Sequence, residues 1–437
     1  MSVLVLGSGL VAKPVVDYLS KKYQVTLASR TLSKIEAITK DYANATPVQC
    51  DAEKDTEMLE ILVQEHTIII SMLPYIHHKI PFDMCLKYRK HFLTTSYTQD
   101  HMKEQGDEIK DKGIIVVNEA GVMPGLTEAS AKQRIDHHHS LGRKINSFKT
   151  YCGGLPSLEA NDNPFGYKFS WAPRGVLLAE RNGATYLDEG VVYDPKTRVE
   201  VFDRSEPVTT KVGLLEGIAN RDSIKFIPLY GIPEANTVIR GTLRFYGWSD
   251  IMRFFHKYDL LSIDEVPILV GQSYLDLLAN RMIVAPEEVE STVREQECGR
   301  VYDALKFLDL FNPDVKIPGT LESATTLDAI AVRMSDCMGY KPGERDMIPM
   351  IHEFEVWDGP IIIHEKMEAV FYGDGTTTAM EMTVGTPVAV VADLILSGKF
   401  TKSGLHILNI PELYEPVMEY MTSIGYGFDI SSTPADS

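Results

Sequence analysis

The chain has little that would build a disulfide framework, a zinc site or a membrane span. Its cysteines are few and odd in number, and none form a C-x-x-C pair: Cys50, Cys85, Cys152, Cys298 and Cys337. This usage favours a reducing compartment and argues against disulfides and structural zinc. No apolar run reaches the roughly 18 residues that a membrane-spanning helix requires, so we expect no transmembrane segment.

Basic residues are also scarce. Lys and Arg number 43 against 61 Asp and Glu, which gives a formal net charge of −18. Nucleic-acid backbones and anionic membrane surfaces are both bound through clustered Lys and Arg. We therefore expect no nucleic acid and no membrane among the partners, although a few local arginines can still hold an anionic small molecule.

Targeting signals are not apparent at either end. The first predicted strand begins at Val3 without a basic leader, so we expect no secretory signal. The last four residues, 434–437, match no lipidation or peroxisomal motif. A cytoplasmic location is the resulting expectation.

Residues 1–120 alternate short apolar strands with helical stretches. The predicted strands are centred on residues 3–6, 25–28, 48–50, 67–71, 92–95 and 114–118. The first run, Val3 to Leu6, is continuously apolar, as in a parallel strand buried on both faces. The β-α-β alternation predicts an α/β fold with a Rossmann-type, doubly wound parallel sheet.

The pattern changes after Pro124-Gly125. A helix is expected near residues 127–139, followed by β-rich segments to Arg244, a mostly helical stretch from Ser249 to about Met338, and renewed strands near 351–363. Thr386 and Pro387 resemble an N-cap and a first helical position, which predicts a helix from there to Leu396. A length of 437 residues fits two or three domains.

A glycine-rich turn follows the first strand. Gly7-Ser8-Gly9-Leu10-Val11-Ala12 matches G-x-G-x-x-A between a strand and a helix, the context that the dinucleotide motif requires. In that motif the first glycine permits the tight turn, the second lets the backbone approach a pyrophosphate, and the small third residue lets helix and strand pack closely. The turn therefore predicts a nucleotide site.

The end of the second strand indicates which nucleotide binds. NAD sites usually place a carboxylate there for the ribose hydroxyls, whereas this chain has Ser29-Arg30-Thr31. A guanidinium can pair with a 2′-phosphate through two hydrogen bonds. NADP(H) is therefore the expected cofactor.

Several stretches resemble the saccharopine reductase family, the NADP-dependent, L-glutamate-forming saccharopine dehydrogenases. The most specific is the block from Tyr151 to Ala179, which contains Tyr-Cys-Gly-Gly-Leu-Pro and Gly-Tyr-Lys-Phe-Ser-Trp. Further similar stretches are 5–11, 28–31, 94–97, 220–223, 239–244, 343–346, 378–380 and 384–385. The resemblance covers nearly the whole chain.

The resemblance implies a three-part architecture. Residues 1–124 would form the dinucleotide-binding domain, with C-terminal helices in 386–437 packing back on it. Residues 125–247 and 345–385 would form an α/β catalytic domain, and 248–344 a mostly helical insertion within it. The family also implies a homodimer.

The implied activity is the reversible condensation of L-2-aminoadipate 6-semialdehyde with L-glutamate. The resulting imine is reduced by NADPH to saccharopine, in the aminoadipate pathway of lysine. A ligand with several carboxylates needs guanidinium forks. The residues for which the resemblance implies substrate contacts are Ser96, Tyr97, Cys152, Arg221, Thr242 and Arg244.

The resemblance and the motif together imply a larger set of cofactor contacts. They are Gly7, Ser8, Gly9, Leu10, Val11, Ser29, Arg30, Thr31, Asp51, Ala52, Leu73, Thr95, Ser96, Trp171 and Arg174. Tyr97 and Cys152 are the candidate catalytic residues, for proton transfer rather than nucleophilic attack. The triplet His137-His138-His139 is interpreted as a solvated helix end, because adjacent histidines do not share a helix face. No metal site is expected.

One position departs from the family pattern. The family has Asp before Pro124-Gly125, and this chain has Met123, whose thioether cannot carry a proton. Either a nearby carboxylate such as Glu119 or Glu128 takes over, or the protein is a catalytically impaired NADP(H)-binding member. Glu128 also fits a first-turn helix role. A related dehydrogenase with a different amino-acid partner is a further alternative.

Overall fold

A computed structural model describes residues 1–266, 269–319, 321 and 324–434. The strands are β1 (Ser2–Leu6), β2 (Gln24–Ser29), β3 (Ala45–Gln49), β4 (Ile68–Ser71), β5 (His91–Thr94), β6 (Ile115–Val117), β7 (Lys144–Cys152), β8 (Leu155–Pro156), β9 (Ala184–Asp188), β10 (Val191–Tyr193), β11 (Glu206–Thr210), β12 (Gly213–Ala219), β13 (Arg221–Asp222), β14 (Thr237–Arg244), β15 (Asp346–Asp358), β16 (Ile361–Tyr372), β17 (Gly404–His406) and β18 (Asp429–Pro434).

The helices are α1 (Lys13–Leu19), α2 (Leu32–Thr39), α3 (Thr56–Glu65), α4 (Lys79–Tyr88), α5 (Asp100–Glu104), α6 (Gly106–Asp111), α7 (Leu126–Ser140), α8 (Pro173–Ala179), α9 (Arg198–Phe202), α10 (Phe226–Tyr230), α11 (Trp248–Lys257), α12 (Tyr274–Met282), α13 (Val289–Gln296), α14 (Gly299–Phe307), α15 (Thr326–Cys337), α16 (Ala379–Leu396) and α17 (Pro411–Ser423). Short 3-10 turns lie at Tyr75–His77, Leu158–Ala160 and Pro286–Glu288.

The chain divides into two compact units. The first contains residues 1–144, 358–360 and 377–429, and the second contains 145–357, 361–376 and 430–437. Helix α7 falls in the first unit, whereas the boundary expected from the sequence at residue 124 leaves it outside the dinucleotide-binding domain. The three-part division expected from the resemblance stays a prediction.

A parallel sheet organises the first unit. Its strand order is β17-β6-β5-β4-β1-β2-β3, with every neighbouring pair parallel. Strands β1 and β4 are almost completely buried, as their continuous apolar sequences require. The order reverses direction at β1, so the carboxyl ends of β1 and β4 flank a topological switch point, where ligands of such sheets bind. The sheet confirms the predicted Rossmann-type α/β class.

Helix α16 corrects one prediction from the sequence. It begins at Ala379 rather than Pro387, because Thr378 and Glu381 form a capping box at its N-terminus. Pro387 therefore lies inside the helix, where it removes one backbone donor. By length and composition alone α16 could cross a membrane, but most of it is buried inside the protein against α1 and α17, as in a core helix.

A mixed sheet organises the second unit. Its main path runs β10-β9-β14-β7-β15-β16-β18, with β11 and β12 joined to β14, β13 to β9, and β8 to β15. Strands β7 and β14 are parallel, and β12 runs antiparallel to β14. One apolar core connects this sheet to helices α11 to α15, so the helical stretch and the sheet bury their surfaces together.

Candidate nucleotide and substrate sites

The Gly7–Ala12 turn has the backbone geometry that its motif predicts. Gly7 adopts φ 103°, and a Cβ there would lie 3.0 Å from the Met72 carbonyl oxygen, so only glycine fits without strain. A Cβ added at Gly9 would have no neighbour within 4 Å, which leaves open space against the backbone for a phosphate group. No side chain caps helix α1. Ala12 is completely buried, and the turn therefore fits the pyrophosphate of a dinucleotide.

The end of β2 carries the charge that discriminates between dinucleotides. Ser29 accepts a hydrogen bond from Ser8, 2.8 Å between the two Oγ atoms, which joins the glycine turn to this strand end. Arg30 is exposed at the same edge. The pKa of the Asp51 carboxyl is lowered by the Glu53 backbone N–H and also by the Arg30 guanidinium, so Arg30 and Asp51 lie near one another. Thr31 is exposed, whereas Ala52 and Leu73 are half-buried.

A buried histidine connects the ends of β4 and β5. The Nδ1 atom of His78 lies 2.8 Å from the Ser71 Oγ, and its Nε2 lies 2.9 Å from the Ser96 Oγ and 3.1 Å from the Thr94 Oγ1. The Ser96 backbone N–H also donates to Thr94 Oγ1 at 3.2 Å. These contacts fix the turn that carries Ser96 and Tyr97 at the carboxyl edge of the sheet.

His78 is held in its neutral form. The side chain is 1% exposed, and burial is the main reason that its pKa falls to about 4 from the usual 6.5. A neutral imidazole offers one donor and one acceptor, which matches a ring that has hydroxyl groups at both nitrogens. At neutral pH the histidine is therefore uncharged, and it connects Ser71 and Ser96 through hydrogen bonds.

The turn containing Met123 packs against the same edge. A Cβ at Gly121 would lie 3.2 Å from the Thr95 Cβ and 3.2 Å from the Pro124 carbonyl oxygen, so this turn approaches Thr95 closely. Met123 is half-buried and precedes Pro124 through a cis peptide bond. The turn that contains position 123, where the family pattern places a carboxylate, thus approaches Thr95 through Gly121.

The two alternative carboxylates have different surroundings. Glu128 accepts from the Gly125 backbone N–H at 2.5 Å and from Thr127 Oγ1 at 2.6 Å, so it caps helix α7. Glu119 is 6% exposed and has a left-handed backbone with φ 57°. Its Oε1 accepts from the Thr98 N–H at 3.1 Å, and its own N–H donates to the Ser96 carbonyl at 3.0 Å. Glu119 is therefore the carboxylate that adjoins the Ser96–Tyr97 turn.

In the second unit, Cys152 and Thr242 lie side by side. They are register partners on the parallel strands β7 and β14, and Cys152 is buried. Thr242 Oγ1 lies 3.4 Å from the Ile218 carbonyl oxygen. The structure thus brings these two predicted substrate residues together at the carboxyl ends of their strands.

Arg244 is buried in a cluster with Glu180 and Arg198. Its Nη2 lies 3.5 Å from Glu180 Oε1, and Arg198 Nε lies 2.9 Å from Glu180 Oε2. Its guanidinium also lies over the rings of Tyr167 and Trp248, with Cζ 5.1 and 5.2 Å from the two centroids. Glu216, the antiparallel register partner of Arg244 on β12, is also buried, so two guanidinium groups and two carboxylates lie in this part of the second unit.

The other three predicted residues of this unit, Trp171, Arg174 and Arg221, have different surroundings. Trp171 is half-buried and donates from Nε1 to the Tyr167 hydroxyl at 3.2 Å, so it contacts the same tyrosine as Arg244. Arg174 forms an ion pair with buried Asp328, 2.6 Å between Nε and Oδ1. Arg221 is exposed on the short strand β13 in a left-handed conformation with φ 59°.

Sequence reasoning missed two residues that organise these sites. His78 adjoins His77 and belongs to no spaced motif, so the sequence carries no signal for its buried contacts. Glu180 follows the family-like block 151–179 by one position and has no motif of its own.

Among the described residues, no group of three or more His, Cys, Asp or Glu side chains could hold a metal ion.

Both halves of the chain match models of known protein families. Residues 3–117 match the family model of the saccharopine dehydrogenase NADP binding domain, and residues 121–426 match that of the saccharopine dehydrogenase C-terminal domain. The first match confirms the expectation of NADP(H) that rests on the glycine turn and Arg30. The chain is also 32% identical to the solved apo saccharopine dehydrogenase (L-Glu forming) of Saccharomyces cerevisiae, with a TM-score of 0.88 over 100% of both chains.

Curated relatives fall into two size classes. The chain is 33% identical over 434 residues to the Saccharomyces cerevisiae protein named saccharopine dehydrogenase [NADP(+), L-glutamate-forming], covering 96% of each. It is 34% identical over 446 residues to the bovine mitochondrial alpha-aminoadipic semialdehyde synthase, covering 99% of this chain and 48% of that protein. The chain therefore spans about half the length of the synthases and nearly all of the fungal dehydrogenase. It belongs to the saccharopine dehydrogenase family.

Proposed function

We propose that this protein catalyses the NADPH-dependent, L-glutamate-forming saccharopine dehydrogenase reaction. L-2-Aminoadipate 6-semialdehyde and L-glutamate condense to an imine with loss of water. NADPH supplies a hydride to the imine carbon, the nitrogen gains a proton, and saccharopine and NADP⁺ result. The reverse direction oxidises saccharopine.

The observation that carries this proposal is the match to the fungal dehydrogenase along 96% of both chains. The named activity of that relative requires a dinucleotide site and a site for carboxylates. The first unit offers the Gly7–Ala12 turn with Arg30, and the second offers the buried guanidinium of Arg244. The related dehydrogenases that use other amino-acid partners lack a specific observation in their favour.

The residues divide the work between binding and proton transfer. Arg244 and Thr242 are suited to hold a carboxylate, since one presents a guanidinium and the other a hydroxyl. Tyr97 and Cys152 can donate or relay protons near the carbinolamine and imine nitrogen. Glu119 is proposed to take the place of the family carboxylate that Met123 lacks, because its side chain adjoins the turn that carries Ser96 and Tyr97.

Steady-state kinetics in the oxidative direction test the proposal. Purified protein is mixed with NADP⁺ and saccharopine, and the appearance of NADPH is followed by absorbance while glutamate is measured separately. We expect equal amounts of NADPH and glutamate, and no lysine or 2-oxoglutarate among the products. Absence of NADPH production at saturating saccharopine would reject the proposal.

Assembly and location are further proposals. We propose a homodimer, as the family resemblance implies, and light scattering of the purified protein tests it by the molar mass. A cytoplasmic location is proposed from the sparse, unpaired cysteines, and imaging of the tagged full-length protein in its host tests it.

A further inference from the structure

The first unit contains a buried polar group to which the proposed function assigns no role. His78 is the residue between a short 3-10 turn, Tyr75–His77, and helix α4. Its ring packs edge-on against Phe92, 6.3 Å between centroids, and both nitrogens face hydroxyl groups. Both ring nitrogens therefore have hydrogen-bond partners, as buried polar groups require.

The partners of the ring differ in character. Ser71 is completely buried at the end of β4, so its contact with Nδ1 is internal to the sheet. Ser96 is half-buried just beyond β5, in the segment that we propose contacts ligand. His78 thus links Ser71, in the core of the sheet, to Ser96, at the edge where we propose that ligand binds.

We propose that His78 is a positioning residue that orients the Ser96 hydroxyl toward the bound ligand. The contact at 2.9 Å restricts rotation of the Ser96 hydroxyl, and the Thr94 hydroxyl holds the Ser96 backbone N–H at 3.2 Å. Ser96 therefore meets the ligand with one fixed hydrogen-bonding direction instead of several rotamers. Reduced rotational freedom before binding is how such supporting contacts improve affinity and rate. This inference rests on the proposed function, which supplies the ligand.

Two conservative variants separate the two sides of the ring. In His78→Gln the amide nitrogen reaches the position of Nε2, so a contact to Ser96 can persist. In His78→Asn the amide nitrogen matches Nδ1, so only the contact to Ser71 can persist. We expect His78→Asn to lower kcat/KM by about tenfold to a hundredfold, the cost of a misplaced contact, and His78→Gln to keep most of the activity.

A double-mutant cycle tests whether His78 acts through Ser96. If it does, His78→Asn has little further effect on kcat/KM once Ser96→Ala is present, whereas independent residues would multiply their effects. Ser71→Ala is the control for the structural side of the ring, and it should lower the melting temperature more than it lowers kcat/KM. Equal losses in His78→Gln and His78→Asn, or multiplicative effects with Ser96→Ala, would overturn the inference.

If the proposed function is wrong, the positioning role of His78 is tested by NADPH binding instead of by kcat/KM. If the parent protein shows no saccharopine-dependent turnover, the same cycle is measured on NADPH affinity by fluorescence titration of the protein. Non-additive losses of affinity for His78→Asn and Ser96→Ala would then support the positioning role although the reaction differs. Additive or absent effects on NADPH affinity in such a protein would reject it.

Discussion

Arg30 is the residue on which we expect the preference for a phosphorylated dinucleotide to depend. Replacing it by alanine removes a charge-assisted contact to the 2′-phosphate, worth about 1.5–3 kcal/mol. Arg30→Ala should therefore raise KM for NADPH by about tenfold to a hundredfold and leave KM for NADH, which has no 2′-phosphate, unchanged. Lys40→Ala, which removes another exposed positive charge in the same unit, is the control. An equal effect on both cofactors would contradict the assignment.

Glu119 and Met123 form a testable pair. Glu119→Gln keeps the shape of the side chain but removes its ability to ionise, so we expect kcat to fall by about a hundredfold, within the range of general acid–base catalysis. Met123→Asp in that background should recover activity, because a carboxylate returns to the same edge of the sheet. Glu128→Gln should affect stability rather than kcat. Full activity in Glu119→Gln would show that another group transfers the proton.

Buried histidines give the free energy of unfolding a distinct pH dependence. His352 is completely buried, donates or accepts at Thr150 Oγ1 over 2.8 Å, and has its pKa lowered to about 3 by burial. The unfolded chain gains a proton at this residue near pH 6.5, whereas the folded chain does not until about pH 3. Acid therefore favours unfolding between these values.

His352→Gln isolates that contribution. Between about pH 7 and pH 4.5 the parent should lose about 2–3 kcal/mol relative to the variant, measured by urea unfolding at each pH. Carboxylates that titrate in the same range affect both proteins alike, so only the difference matters. A constant difference across this range would show that the folded and unfolded chains take up this proton alike, so that folding does not lower the pKa of His352.

At the scale of elements, helices α1 and α16 meet through a glycine. A Cβ at Gly385 would lie 2.7 Å from the Val11 carbonyl oxygen, which belongs to the nucleotide-binding turn. Gly385→Ala should cost about 1–3 kcal/mol of stability and weaken NADPH binding, because the turn must shift. Gly106→Ala is the control in the same unit, since a Cβ added there would have no neighbour within 4 Å. Unchanged NADPH affinity in Gly385→Ala would contradict this coupling.

Elements also show what the sequence could predict and what it could not. The glycine turn and strand β1 follow from local pattern, because a buried parallel strand and a phosphate-binding turn have short-range signatures. The start of α16 does not follow from local pattern, because two sites fit a helix start. Thr386-Pro387 is one, and the Thr378–Glu381 capping box, where the helix begins, is the other. Glu180 beside Arg244 was invisible because 64 positions separate the two residues along the chain.

At the scale of the whole molecule, the C-terminal segment completes the first unit. Strand β17 pairs with β6 at the edge of the parallel sheet, and α16 covers α1. Asp393 on α16 accepts hydrogen bonds from Tyr23 at 2.7 Å and Tyr18 at 3.1 Å, and it pairs with Lys22 at 2.6 Å. The nucleotide site therefore depends on residues far from it in sequence.

Truncation tests this dependence. A chain that ends at residue 376 lacks α16, β17, α17 and β18, so we expect it to lose NADPH binding and the cooperative unfolding of the first unit. A chain that ends at residue 429 lacks only the part of β18 that belongs to the second unit and should still bind NADPH. Retained NADPH affinity in the shorter chain would show that residues 1–144 fold independently.

Transfer of isotope from cofactor to product tests the central claim most directly. Protein, L-glutamate, L-2-aminoadipate 6-semialdehyde and NADPH deuterated at both C4 positions are incubated, and the product is examined by mass spectrometry. We predict saccharopine carrying one deuterium at the carbon derived from the aldehyde, formed in equal amount to NADP⁺. NADPH that is bound but not consumed, or saccharopine without deuterium, would contradict the account.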